Sequence, residues 1–221
     1  MTPAARLSAA MEILDRILAG AVAEQALTNW GRANRFAGSG DRHALRDLVY
    51  DALRCKRSYA ALGGGMTGRG LVLGGLRDRG IDPAGLFTGE GHAPALVSAD
   101  EAGRVPVGAE ALDCPDWLLP HLQAALGAEC EAVLQAMRQR APVFLRVNLA
   151  KASVAAAQAA LAEDGIGAVL SPIAKTALEV TENARKVQTS RAYADGLVEL
   201  QDAASQAVVQ ALPLRDGRVV L

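Results

Sequence analysis

The sequence predicts a mainly helical protein that becomes a small α+β fold in its last third. Three observations carry this. Alanine is abundant and aromatics make up only 4% of 221 residues, a balance that favours helix. Apolar residues recur at helical spacing through most of the first 140 positions. From Pro142 the spacing switches to a period of two, and the order strand–helix–strand–strand follows.

Thr2-Pro3 reads as an N-cap followed by proline in the first turn. Leu7, Ala10, Met11, Leu14, Ile17 and Leu18 extend one helix over 3–27. Gly31 to Gly40 reads as a basic loop holding Arg32 and Arg35. A second helix is predicted over 41–61. Leu45, Leu48, Val49, Ala52 and Tyr59 form its apolar face, with Arg42, Arg46, Arg54 and Arg57 on a neighbouring arc. A third helix covers about 68–79. Residues 80–112, rich in Gly and Pro, read as a long acidic loop with short helical pieces. Cys114-Pro115 opens a further helix, and another runs from about 128 to 139.

In 143–149, Val143, Leu145, Val147 and Leu149 alternate with Phe144, Arg146 and Asn148, the pattern of a strand. A helix over 152–163 closes at Asp164-Gly165. Short strands are predicted at 167–170, 176–181 and 197–200, with a helix at 202–212. Arg215-Asp216-Gly217 reads as a turn, and Arg218 to Leu221 as the start of a buried strand. An apolar strand at the very end suggests a chain truncated at the first strand of a Rossmann-type domain.

Composition excludes several classes. No apolar run reaches the ~20 residues that cross a bilayer, and Glu12, Asp15 and Arg16 interrupt any secretory signal. Cys55, Cys114 and Cys130 have neither disulfide nor metal spacing, which suits a reducing cytoplasm. His43, His92 and His121 are not spaced as ligands, so no metal is expected. Gly63, Gly65 and Gly68 match G-x-G-x-x-G but follow a helix, and read as a flexible loop rather than a nucleotide site. Net charge is −1, unevenly spread: residues 31–79 carry ten Lys/Arg against four Asp/Glu, and 82–131 one Arg against nine acids. A local basic block suffices to bind a polyanion.

Four segments then stand in a telling order: Cys114-Pro115-Asp116-Trp117-Leu118; Leu145-Arg146-Val147-Asn148 followed by Lys151; Glu199-Leu200-Gln201-Asp202-Ala203-Ala204-Ser205-Gln206; and Gly217-Arg218-Val219-Val220-Leu221. Together they resemble the Sun/Fmu-type bacterial ribosomal RNA cytosine-C5 methyltransferases. Residues 6–62, with Gly40-Asp41-Arg42 and Leu48 to Arg54, resemble the helical domain those enzymes share with the NusB antitermination factor. The stretch 63–112 matches little.

The resemblance implies a NusB-like RNA-binding domain over 1–140, a small α+β RNA-positioning domain over 141–200, and the entry to a methyltransferase domain over 201–221. It implies S-adenosylmethionine as cofactor of the full-length parent, with none expected on this chain. The family's nucleophilic cysteine adds to C6 of cytosine. Cys114-Pro115 reverses the family's proline-cysteine order, so no catalytic residue is assigned. Arg42, Arg46, Arg54, Lys56 and Arg57 are expected to grip phosphates. Phe144, Arg146, Asn148 and Lys151 are expected nearer the target base. RNA, ribosomal in kind, is the expected partner of a cytoplasmic monomer, with no membrane or metal. The alternative is a stand-alone, non-catalytic RNA- or protein-binding module of antitermination type. A third reading is a relative that has lost its catalytic domain.

Overall fold

Helix α1 (Pro3–Leu18) starts where Thr2 accepts a hydrogen bond from Ala5 N at 3.2 Å, with Pro3 in its first turn. The single helix expected over 3–27 is two helices. Gly20 takes φ +105°, a left-handed value that glycine reaches without strain, and α2 (Ala23–Ala33) restarts beyond it. Helix α2 therefore absorbs the front of the expected 31–40 loop.

The helix expected over 41–61 also divides, into α3 (Ser39–Arg54) and α4 (Lys56–Gly63), with Cys55 at φ −105° and ψ 31° between them. The cause lies far along the chain. Asp113 accepts from Arg57 N at 2.8 Å and Ser58 N at 2.9 Å, which caps a new helix start that no local residue caps.

Helix α5 (Gly68–Asp78) corrects the reading of the glycines. Gly63, Gly68, Gly70 and Gly74 are buried, and they let backbones touch. A Cβ on Gly63 would lie 1.7 Å from Gly70 O, and one on Gly74 1.9 Å from Tyr59 O. The pattern is a packing seam between α4 and α5, and only residues 64–67 form a loop.

Residues 80–112 are irregular as expected, with 3₁₀ turns at Pro83–Gly85 and Ala99–Glu101. The helix expected from Cys114 starts later, as α6 (Leu119–Leu126), because Asp113 at φ +52° and the turns after it are committed to α4. Helix α7 (Cys130–Met137) follows. One core joins Ile13 and Leu14 of α1, Leu45 and Val49 of α3, Leu71 and Leu73 of α5, and Phe87. Leu134 packs with Cys114 and Cys130 in a satellite cluster.

The computed structural model describes residues 1–212, in two units: Met1–Arg140 and a second beginning at Ala141. The expected turn and strand over 215–221 lie outside the described residues.

In the second unit, β1 (Val143–Val147), α8 (Val154–Glu163), β2 (Ala168–Leu170), β3 (Ala177–Val180), α9 (Arg191–Ala194), β4 (Val198–Leu200) and α10 (Ala203–Gln210) follow in turn. The strands pair antiparallel in the order β2-β3-β1-β4. With helical segments between β1 and β2 and between β3 and β4, this is the ferredoxin-like topology. The sequence reading missed α9 and the 3₁₀ segment Ala184–Thr189, which stand where the second ferredoxin helix would. Leu145 and Val147 of β1 bury against Leu161 of α8 and Leu178 of β3, as the alternation requires. Asp202 caps α10 by accepting from Ala204 N at 2.8 Å.

Candidate nucleic-acid interface

The basic block of the sequence folds into a groove between α2 and α3. Helix α2 contributes Arg32 and the buried Trp30, the following loop Arg35, and α3 Arg42, His43 and Arg46. The groove is about 700 Å³ and no carboxylate lines it. Arg42, exposed at the groove, is braced by its Nε–H, which donates to Ala37 O at 3.1 Å. Arg46 is partly neutralised by Glu24, whose carboxyl is held below its usual range first by Arg46 and then by the Tyr50 hydroxyl. Exposed Arg32 and Arg35 have no partner among the described residues. They are the two site residues the sequence reading noted without assigning. Their spacing of three across the end of a helix was the available signal.

The other expected phosphate-binding cations are more occupied. Arg54 leans on Asp51 at 3.4 Å and donates to Arg138 O at 3.4 Å. Arg57 turns away from the arc, because the helix breaks at Cys55. It donates to both oxygens of Asp116 at 2.8 and 3.0 Å and also to Cys114 O. Lys56 is exposed.

The acidic segment supplies the partners of Arg57. Beyond Asp113 and Asp116, Glu101 receives two bonds from Arg69, one at 3.0 Å, and a third from Ser98 N at 2.9 Å. Arg69 holds the Glu101 carboxyl down at about 2. The Asp113 side chain, 4% exposed, takes a further bond from the Ser58 hydroxyl at 2.7 Å and an ion pair from Arg138 at 2.9 Å.

In the second unit each expected contact residue has an intramolecular role. Phe144 is half-buried against Ala174, Ala177, Ala203 and Ala207. Arg146 pairs across the sheet with Glu199, its register partner on β4. The Asn148 amide donates to Gly196 O at 3.2 Å and its oxygen accepts from Ala150 N at 3.2 Å. Lys151 Nζ donates to Asp195 O at 2.7 Å. Arg146 and Asn148, with Gln201, Gln206 and Thr176, line a pocket of about 270 Å³.

Among the described residues no group of His, Cys, Asp and Glu could hold a metal ion, and no helix is long and apolar enough to cross a membrane. The three cysteines are buried and unpaired. Burial pushes the Cys55 thiol up, opposite to the low value that makes a thiolate nucleophile.

Comparison with known proteins agrees with the strand order. Residues 114–188 match the family model described as the RsmF/B-like methyltransferase, ferredoxin-like domain. That stretch, about a third of the chain, is similar to the ferredoxin-like domain of RsmF/B-like methyltransferases. That stretch includes β1 to β3 and starts at Cys114, the first residue of the Cys-Pro-Asp-Trp segment.

Ribosomal RNA small subunit methyltransferase B of Xanthomonas campestris pv. campestris is 35% identical over 131 residues, 59% of this chain and 30% of that protein. The Vibrio cholerae protein of the same name is 30% identical over 153 residues, 69% of this chain and 32% of its own length. The Pseudomonas putida one is 36% identical over 107 residues, 48% and 24%. The chain thus spans about a third or less of the length of these relatives. The crystal structure of PH0851 superposes with a TM-score of 0.55 at 18% identity, covering 91% of this chain and 53% of that one, a likeness of fold.

Proposed function

We propose that this chain binds small-subunit ribosomal RNA and orients it for methyl transfer to C5 of a cytosine, as the RNA-binding front of an S-adenosylmethionine-dependent enzyme. The observation that carries the reading is the α2–α3 groove, where four arginines and a histidine meet without a lining carboxylate. Phosphates are bound by such local clusters even on a near-neutral protein. The names of the relatives supply the kind of RNA. In this reading the first unit is a NusB-like bundle. Arg42 and Arg46 work with Arg32 and Arg35 on the phosphates, and Arg54, Lys56 and Arg57 extend the basic surface. Phe144, Arg146, Asn148 and Lys151 hold the ferredoxin-like unit in shape around the small pocket that Arg146 and Asn148 line.

S-adenosylmethionine would supply an electrophilic methyl group. The described residues do not fit that cofactor. In the Gly63, Gly65 and Gly68 pattern, Gly63 is closed by the backbone of α5 and Gly68 by that of α1, so these glycines serve helix packing rather than a ligand's approach. Methyl transfer is therefore assigned to other parts of the parent protein, and this chain's own work is to bind and position RNA.

The test is a salt titration of binding to a ribosomal RNA fragment. Single-stranded RNA contributes a slope of about −0.7 per neutralised phosphate. Three or four arginine contacts therefore predict a log–log slope of about −2 to −3. Replacing Arg32 and Arg35 by Ala should flatten it by about 1.4. A flat salt profile would instead favour an apolar protein partner.

A further inference from the structure

The molecule has two tryptophans, and they stand in opposite environments. Trp30 is 4% exposed in the core, whereas Trp117 is 71% exposed. A bare indole is commonplace on a loose loop, but the backbone around Trp117 is fixed on both sides. Asp113 is tied to α4 by Arg57 N, Ser58 N and the Ser58 hydroxyl. Asp116 is gripped by the Arg57 guanidinium. Leu118 N and Leu119 N both donate to Pro115 O, at 3.0 and 3.2 Å. The fold has thus already ordered this aromatic, so a ligand that stacks on it meets a prepared surface.

Trp117 lines an open depression of about 690 Å³ with Arg54, Lys56 and Arg57. The two carboxylates there are answered: Asp116 by Arg57 and Asp113 by Arg138. What remains is a flat π surface beside the exposed Lys56 ammonium. That chemistry suits one uncharged base with a neighbouring phosphate, not a cluster of phosphates.

The depression also continues the arginine groove. Arg46 lines both that groove and a second of about 500 Å³, where Asp51 is paired with Arg54 and Arg79 and Asp47 with Arg140, and Arg54 lines both the second and the Trp117 depression. All three follow α3. Arg42 to Arg54 spans about 18 Å at ~1.5 Å per residue, the length of about five stacked nucleotides at ~3.4 Å each.

We propose that Trp117 is a stacking platform for an unpaired RNA base, at the far end of a single-strand track that runs along α3 from the arginine groove. The proposal rests on the RNA-binding reading and adds its binding mode: single-stranded rather than duplex RNA.

The test uses the full chain, a short fluorescein-labelled single-stranded oligocytidine, and a blunt RNA duplex of equal length. W117A should weaken the single strand about tenfold, leave the salt slope as in wild type, and leave duplex binding unchanged. W117F should bind within about twofold of wild type, because a phenyl face still stacks. Saturating single strand should shield tryptophan fluorescence from acrylamide, since Trp30 is already shielded. The exposed indole makes no core contact, so an unaltered denaturation midpoint certifies both variants.

Equal affinity of W117A and wild type for the single strand, with R32A/R35A weakened, overturns the platform and leaves the RNA-binding reading standing. So does an indole that stays open to acrylamide under saturating RNA, which would point to a protein partner for it. Failure of wild type to bind either RNA at low salt overturns both readings.

Discussion

The α2–α3 groove and the exposed face of β1 are both basic in sequence, yet the fold treats them differently. In the groove, Arg32 and Arg35 face solvent with no carboxylate lining the site. On β1, Arg146 is matched by Glu199 directly across the sheet, and the nearby Lys151 is bonded to the Asp195 carbonyl. The difference teaches that a cation's availability depends on where its nearest acid lands after folding. Glu199 lies 53 residues from Arg146 in the chain, and the register of two short strands brings them together.

The comparison can be broken at its frame. Gly74→Ala would push a methyl to 1.9 Å from Tyr59 O, where backbone cannot yield cheaply. Overpacking of this kind costs about 3 kcal/mol or more. Chemical denaturation should show the first unit melting early while the ferredoxin-like unit keeps its own transition. RNA binding should be lost with the first unit, although every residue of the β1 face is untouched. Retention of binding would move the interface to the second unit.

Asp113→Ala should come next in size. It leaves Arg138, which is only 14% exposed, with just its longer ion pair to Asp78 at 3.5 Å, and uncaps α4, at a cost of about 3 kcal/mol. Asp113→Asn should cost less, since an amide oxygen still accepts from Ser58 N. Equal losses for the two would deny that the cap contributes, and an Asp113→Asn variant as stable as wild type would deny that the charge matters.

A sharper contrast comes from exchanging paired and unpaired cations. R32A/R35A should lower RNA affinity about tenfold near 0.1 M salt, whereas R146A should change it less than about twofold. Glu199→Gln frees Arg146 and should raise affinity slightly, by about twofold at low salt. A larger fall for R146A than for the double variant would reverse the assignment of the two faces.

The smallest effect is in acid. The Glu101 carboxyl sits at about 2 rather than its usual 4.5, so the folded protein holds the charged form more firmly than the unfolded chain does. The stability it lends is complete above about 4.5 and is lost as pH falls toward about 2. Denaturation midpoints of Glu101→Gln and wild type should therefore converge over that window. The pair is partly exposed to solvent, so the gap above it should stay within about 1 kcal/mol.

What the sequence made legible follows from how local the forces are. The strand at β1 was readable because its alternation is a property of consecutive residues, and Leu145 and Val147 are buried as expected. The helices were readable as helices but not in their limits. Apolar spacing runs on through Gly20 and Cys55, while a left-handed turn at one and a distant aspartate at the other end them. The glycines of 63–74 are likewise a tertiary matter, because the atoms that exclude a side chain belong to other helices. For the site, the sequence pointed to Arg42 and Arg46 and to the right charged block. It also named Arg57, whose acid partners come from a segment 56 to 59 residues away.

The tie between Asp113 and α4 bears on how the chain can be cut. Gly89 to His92 is an exposed turn, while the parts on either side are joined through Arg69 and Glu101, Arg57 and Asp116, and Ser58 and Asp113. A nick there severs the covalent path but none of these crossings. The bundle is in effect a two-piece assembly that happens to be synthesised in one piece, and the turn is where a tag or a new pair of termini can be placed without unseating the helices.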